Sequence, residues 1–507
     1  MLLSSILDGA SRGPIWSIPL AVLSILLFSR IIAALQDPLR DQPGPLLARF
    51  TRLWLFWQYT RGDYHKTNLD LHNKYGPVVR IAPGQYSIDN PEAAKIIYGH
   101  GSRFVKTDWY LPWGHPVERN LFNETDPRAH ANLRRQVANV YSMSSMVSYE
   151  PYVDECTDIL CRRFSEFSAT SQPVDLARWF QCYAFDMIGK ITFSRRFGFL
   201  DAGEDLGGIM KVLDAAAQLS SAIGVYSFVF PYLMSLAEHL SSSKEAKGPA
   251  VIAEYAAEQV EARRNEEKTH DGPQDFVTKL LQAQKERPEA VTDDAIRLSS
   301  AANIAAGSDT TSIALSAIMY NLCKHPVVLD ELRRELENSE ATGSISSPIT
   351  FREAQGLPYL QAVIKESLRL HPATGFTMPR LVPQGGKHLA GSYFPDKTIV
   401  GINSWVAHQN RDVFGHDAME FRPERWLDSK RISNEETNRM EAYFFSFGQG
   451  SRTCIGKNIS LLEISKAIPR LVKNFDFQLE NTGNWHCANY WFVKPTNFRC
   501  IVKKRGA

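Results

Sequence analysis

Several functional classes are excluded by what this chain lacks. Its seven cysteines, at 156, 161, 182, 323, 454, 487 and 500, include no Cys-x-x-Cys pair. Their odd number and irregular spacing argue against a disulfide framework and for free thiols in a reducing compartment. Basic residues outnumber acidic ones only by 57 to 55, for a net charge of +2. With no global basicity, nucleic acid is not an expected partner. There is no internal repeat and no low-complexity tract, so neither a solenoid nor a long disordered linker is expected. A dinucleotide-binding loop is missing too. Gly448-Gln449-Gly450 begins one, but the third glycine would fall at Thr453, and no βαβ frame surrounds it.

A hydrophobic share of 44% supports a large core. The coarse pattern is mainly helical with a small β portion. Helical runs fill 145–168, 176–195, 250–268, 327–338 and 456–475, and a longer one covers about 292–324. Val78 to Ile81 and Gln85 to Ile88 read as a hairpin around Ala82-Pro83-Gly84. Further strands are expected between 377 and 400 and near 489–502, and loops at 241–248, 269–274 and 341–348.

Residues 15–35 are apolar apart from Ser17, Ser24, Ser29 and Arg30, close to the roughly 20 residues that span a bilayer. A cleaved signal peptide would have a shorter apolar region and a small-residue cleavage site. Arg30 near the C-terminal end of the segment and Arg40, Arg49 and Arg52 beyond it, against Arg12 before it, place the following domain in the cytosol. The expected organisation is a single-pass anchor over 1–36, a hinge at Asp41-Gln42-Pro43-Gly44-Pro45, and one domain over 37–507.

Four clusters carry chemistry. Cys454 lies in Phe447-Gly448-Gln449-Gly450-Ser451-Arg452-Thr453-Cys454-Ile455-Gly456, just before a helical run. Its glycines would let the backbone approach a flat ligand. A thiolate near a helix start gains from the dipole and from amide N–H groups, which suits an iron-bound sulfur. Inside the long helix, Ala306-Gly307-Ser308-Asp309-Thr310-Thr311 clusters poor helix formers, and Gly307 alone costs about 1 kcal/mol against alanine. Glu366 and Arg369 share a helix face at i and i+3, and Phe421-Arg422-Pro423-Glu424-Arg425-Trp426 follows about 55 residues later. His130 and Arg134 share another face at i and i+4. Lys106, Arg119 and Arg135 are expected to be solvated surface charges.

The cysteine loop resembles the haem-binding signature of the cytochrome P450 family, Phe-x-x-Gly-x-Arg-x-Cys-x-Gly, at every fixed position. The resemblance implies the P450 fold, with Cys454 as axial ligand to the iron of haem b and Phe447 and Gly448 against the cofactor. It also implies propionate contacts from Arg452, His130, Arg134 and Arg380, although many members carry Trp where this chain has His130. The 306–311 segment is similar to the family's oxygen groove, where Gly307 would leave room for O2 while Asp309 and Thr310 deliver protons. Glu366, Arg369 and Arg425 would interlock as a structural unit, since buried charges persist only when paired. Substrate contacts are implied for Phe376, Trp113, Phe122 and Gly307, with Phe376 the foremost specificity residue, in a pocket for a small, neutral, apolar molecule.

The implied activity is that of a monooxygenase in the endoplasmic reticulum membrane. No flavin or nucleotide module is present, so electrons would come from NADPH through a separate cytochrome reductase, with a cytochrome b-type donor as a second possible partner. Gly76 to Pro83 and Arg103 to Asp108 are similar to fungal microsomal members, many of which act in secondary metabolism. The alternatives are a haem-thiolate isomerase or dehydratase that needs no external electrons, and a non-enzymatic haem-binding sensor.

Overall fold

The structure, a computed structural model, describes residues 17–116, 118–240, 249–265, 274–427, 434–480 and 485–506. The loops expected at 241–248 and, but for residue 274, at 269–274 fall outside the described residues. Around the long helix Asp293–Lys324 pack helices Leu176–Phe193, Pro249–Asn265, Pro358–Leu370 and Lys457–Asn474, helix Glu150–Thr170 packs in turn on Leu176–Phe193 and Lys457–Asn474, and a main apolar core fills the space between them. Thr292 caps the long helix by accepting the Ala295 N–H at 3.2 Å, and Asp293 and Asp294 in its first turn favour the positive end of the dipole. His325-Pro326 ends it, because proline cannot donate to the helical ladder. The expected helices are present within a few residues. Residues 143–147 form a separate helical turn, and helices Leu53–Arg61, Tyr64–Tyr75, Pro91–Tyr98, Ile209–Ile223, Phe230–Leu240, Phe276–Glu286 and Asn434–Ala442 were not expected.

The β portion matters mainly for what it carries. A five-stranded sheet runs in the order Val78–Ala82, Gln85–Ile88, Ile399–Gly401, Arg380–Leu381, Val105–Lys106. At its far edge Lys106 is the antiparallel register partner of Arg380, two cations side by side. A second, two-stranded hairpin pairs Cys487–Tyr490 with Phe492–Pro495 and turns at Trp491.

At the N-terminus, residues 1–16 of the expected anchor lie outside the described residues. Ser17–Gln36 is one helix of 20 residues, about 30 Å long, with Leu20, Val22, Ile25, Phe28, Ile31, Ile32 and Leu35 exposed. Among the described residues, the stretch singled out by length and apolarity as able to cross a bilayer is instead Leu206–Leu236. That stretch is broken by 3-10 turns at Gly224–Val229, where Tyr226 leaves helical geometry. The hinge expected at 41–45 is not a free joint. Arg80, buried in the sheet, binds Asp37 at 2.6 Å and the Leu39 carbonyl at 2.6 Å, and its N–H donates to the Pro43 carbonyl at 2.8 Å.

Behind the cysteine loop lies a closed charge network. Arg369 donates to both oxygens of Glu366 at 2.8 Å, Arg425 reaches Glu366 at 3.3 Å and Asp417 at 2.9 Å, and Trp426 Nε1 donates to Glu366 at 2.9 Å. Glu366 and Arg369 are fully buried. Arg369 also donates to the His408 and Glu420 carbonyls, which ties the 404–426 segment to helix Pro358–Leu370. Asp417 and Trp426 complete the network and were not picked out from sequence. Burial alone would raise the Glu366 carboxyl, but its bonds to Arg369 and the charges of Arg369 and Arg425 hold it below the usual 4.5. A lowered carboxyl stabilises the fold fully above its unfolded value, and that stability is lost as pH falls through the lower, folded value. Glu366→Gln leaves Arg369 buried with its charge partner gone and should cost about 3–5 kcal/mol. Acid unfolding curves should show the variant less stable at pH 7 and less sensitive to pH below about 4.5; an unchanged midpoint at pH 7 would exclude a structural role.

Candidate active site

The loop before helix Lys457–Asn474 is shaped by its backbone. Gly448 (φ +65°) and Gly450 (φ +63°) adopt a conformation that favours glycine, and a Cβ on Gly450 would run into the Tyr98 carbonyl. Glycine at 450 therefore serves packing against residues 98–99, not approach to a ligand. The Cys454 N–H donates to the Phe447 carbonyl at 2.8 Å, closing the loop. Thr453 Oγ1 donates to the same carbonyl at 3.1 Å. The Cys454 side chain is exposed to solvent, although the surrounding chain is dense enough to disfavour its charged form. Burial pushes its thiol up, while the N–H groups of Gly456 and Lys457 and the charge of Arg134 pull it down. Those donors would stabilise a thiolate as soon as a cation took up the sulfur.

Beside this thiol the chain gathers positive charge out of water. Lys106, His130 and Arg380 are each less than 10% exposed, and Arg452 and Arg134 are half-buried. Their hydrogen bonds go to neutral oxygens. Lys106 Nζ donates to the Phe122 carbonyl, Arg134 to the Thr453 carbonyl at 2.9 Å, Arg380 to the Tyr110 hydroxyl at 2.9 Å, and Arg452 to the Glu124 carbonyl at 2.7 Å. Burial, followed by the charges of Arg380 and Arg452, drives the Lys106 ammonium well below its ordinary value against the weaker pull of Glu124. Burial and then the charges of Arg452, Lys106, Arg134 and Arg380 bring His130 down to about 3. Burial and Arg380 take Arg452 down to about 10. Like charges facing one another in a sheet register are destabilising. A dianionic ligand would offset this repulsion with an attraction to each cation, and a planar group with two carboxylates and a thiolate-seeking metal fits the donor set.

Lys106 was expected at the surface and lies instead in the middle of this cluster. Its sequence signal was the strand Val105–Lys106, whose pairing with Arg380 only the fold reveals. Arg135 is exposed, as expected, whereas Arg119 is half-buried with Nη1 lacking a partner.

On the long helix, Thr310 Oγ1 donates to the Ala306 carbonyl at 2.7 Å. Asp309, 3% exposed, points elsewhere: its Oδ1 accepts from Gln181 at 2.7 Å and its Oδ2 pairs with Lys494 at 2.7 Å. A Cβ on Gly307 would come within 2.9 Å of Ile188, so glycine there lets helix Leu176–Phe193 approach; the space it frees is already filled.

The implied substrate wall also divides. Phe376 is fully buried, stacked on Tyr59 with centroids 3.9 Å apart and edge-on to Tyr64. It belongs to a packed aromatic core and does not line an opening, which corrects its standing as the foremost specificity residue. Trp113 and Phe122 are half-buried and meet Trp491 at 5.8 and 5.7 Å. Trp491, absent from the sequence reading, is the residue that joins them.

Replacing Lys106 by methionine should have opposite effects on the two forms of the protein. Without ligand it relieves repulsion, so thermal unfolding of the haem-free protein should shift upward. With haem bound it removes a counter-charge, so haem transfer to apomyoglobin should accelerate several-fold, and Lys106→Arg should restore it. Equal shifts of the same sign in both forms would show that Lys106 merely packs.

Comparison with known proteins agrees with this geometry. Residues 43–497 match the family Cytochrome P450. Two pisatin demethylases of Fusarium vanettenii are 39% and 40% identical over 498 and 496 residues, covering 97% and 96% of this chain and 95% and 93% of theirs. The cytochrome P450 monooxygenase gsfF of Penicillium aethiopicum is 36% identical over 496 residues, covering 96% and 97%. A family match across most of the chain, relatives of the same length, and a lone thiol beside a nest of unpaired cations lead to one conclusion: the chain belongs to the cytochrome P450 family, a family of haem oxidoreductases.

Proposed function

We propose that this protein is a membrane-anchored monooxygenase of fungal secondary metabolism, using haem b, O2 and NADPH-derived electrons to oxidise a neutral, apolar organic substrate. The observation that carries the reading is the meeting of the Cys454 thiol with a cluster of cations whose hydrogen bonds go to neutral oxygens and whose mutual repulsion the nearby Glu124 only weakly offsets. Cys454 would hold haem through its sulfur and Lys106, Arg380, Arg452 and Arg134 would hold its carboxylates, and the cofactor would supply the oxygen chemistry. His130 stays neutral among those charges and serves as a hydrogen-bonding group.

The rest falls to this chain's own side chains. Thr310 Oγ1 keeps its lone pairs free to accept from a water while its hydrogen is held on the Ala306 carbonyl. Rotation of that hydroxyl passes a proton into the site, and Asp309 is the nearest carboxylate in sequence able to resupply it. Trp113, Phe122 and Trp491 present ring faces and edges with little charge, which suits an aromatic or otherwise apolar substrate. The Fusarium relatives are named pisatin demethylases, which makes oxidative removal of a methyl group from pisatin or an analogue the first reaction to test.

Electrons would arrive from a separate NADPH-dependent cytochrome reductase, with a cytochrome b-type donor as a second source. The seven exposed apolar residues of helix Ser17–Gln36 support a single-pass anchor in the endoplasmic reticulum membrane with the catalytic domain in the cytosol. Leu46, Leu47, Trp57, Phe228 and Tyr232, all exposed, would add a second, peripheral contact with lipid. The requirement for NADPH separates this reading from an isomerase or dehydratase, and turnover itself separates it from a sensor.

Two outcomes test it. Thr310→Ala should retain haem but divert reducing equivalents to hydrogen peroxide, read as a fall of several-fold in product per NADPH when reductase-supplied microsomes are incubated with extracts of a strain lacking this gene. Unchanged coupling would remove Thr310 from proton delivery. Deleting residues 1–36 should move much of the protein to the soluble fraction with its haem spectrum intact; loss of haem would place the helix in the fold instead.

A further inference from the structure

The hairpin Cys487–Tyr490/Phe492–Pro495 touches two places that the proposed reaction must bring into step. At its tip Trp491 adopts φ +85°, a conformation that a bulky side chain rarely takes. The ring is held there, 4% exposed, by Trp109 at 5.2 Å, Phe122 at 5.7 Å and Trp113 at 5.8 Å. Three residues on, Lys494 leaves the same hairpin and pairs with Asp309 Oδ2 at 2.7 Å and with Asp214 on helix Ile209–Ile223. Gln181 holds the other Asp309 oxygen at 2.7 Å. Both carboxylate oxygens are therefore engaged away from Thr310, whose hydroxyl is bonded along its own helix to Ala306. In this arrangement the acid has no free oxygen to serve a proton chain.

We propose that Lys494 is a latch that holds Asp309 out of the proton path, and that the Trp491 hairpin opens it when substrate enters. The inference rests on the assignment of Asp309 as the resupplying acid. A substrate seated among Trp113 and Phe122 must displace the Trp491 ring, which is already in an unfavourable backbone conformation and has a relaxed state to move to. The hairpin backbone is bonded to residues 373–375 (Gly375 N–H to the Trp491 carbonyl and Val493 N–H to the Ala373 carbonyl, both 2.9 Å), so displacement of the tip has to shift that paired segment with it as it draws Lys494 off Asp309. Lys494 keeps a second partner in Asp214, which is 54% exposed, and so gives up Asp309 without becoming an unpaired charge. Burial lowers the Lys494 ammonium, but Asp309 and Asp214 together raise it above its ordinary value, so the latch is held closed by a cation. Closed, the latch suppresses idle consumption of NADPH. Open, it lets Asp309 turn toward Thr310.

The test uses the haem-loaded full chain with NADPH reductase and no substrate, with Lys494→Met, Lys494→Arg, Trp491→Gly and Asp309→Asn. Lys494→Met should raise substrate-free NADPH oxidation at least three-fold, Lys494→Arg should stay near wild type, and Trp491→Gly should give the same rise with no addition in the double variant. The rise should vanish in the Asp309→Asn background. Thermal unfolding of Lys494→Met, Asp309→Asn and their double variant should be non-additive, since the pair is broken by either change. No rise in Lys494→Met with haem retained, or a rise that survives Asp309→Asn, overturns the latch. Additive effects of Trp491→Gly and Lys494→Met overturn the hairpin's part in it. Normal product turnover of Asp309→Asn in the extract assay would instead overturn the acid assignment, a failure separate from that of the latch.

Discussion

Repulsion among buried cations is the constraint on which the rest of this structure depends. Lys106 and Arg380 face each other across an antiparallel pair, and Arg452, Arg134 and His130 close in from two other segments. A chain selected for stability alone would separate these groups or place carboxylates among them. This chain keeps them together with only the weak counterweight of Glu124 and Asp126, and spends their hydrogen bonds on neutral carbonyls and one tyrosine hydroxyl. The fold accepts this repulsion because other parts hold the segments in place, and a bound dianion converts the same proximity into affinity.

What holds them is a second set of charges arranged on the opposite principle. Glu366 sits with two arginines and an indole N–H, every oxygen engaged, fully out of water. Arg369 then binds the carbonyls of residues 408 and 420, and His408 Nε2 accepts the Phe445 N–H at the entry to the cysteine loop. The compensated network thus fixes the loop that presents Cys454, while the uncompensated one prepares the edge of the site. A third arrangement, Asp309 with Lys494 and Gln181, is also compensated but stands beside a strained hairpin, and there the pairing suits a switch better than a strut.

The sequence disclosed the parts of this that depend on local chemistry. Residue spacing around Cys454, the cap at Thr292 and the i, i+3 pair Glu366–Arg369 each act within a few residues and were legible as such. The hairpin at 78–88 was equally plain. What escaped depends on contacts distant in the chain. Lys106 looks like a surface lysine until strand 105–106 is laid against 380–381. Phe376 looks like a pocket residue until Tyr59, more than 300 positions away, stacks on it. Gly307 looks like room for a small ligand until Ile188 occupies its open side. Lys494 and Trp491 carry no motif at all; only the folded hairpin places one on Asp309 and the other among the tryptophans.

The central claim, that Cys454 supplies the thiolate ligand of a haem bound in this nest, is tested most directly by the carbon monoxide difference spectrum of the reduced protein. The wild-type chain should give the strongly red-shifted Soret band characteristic of a thiolate ligand opposite carbon monoxide. Cys454→Ser should lose that band or lose haem altogether. A Cys454→Ser protein that retains haem with the same red-shifted band would contradict the account.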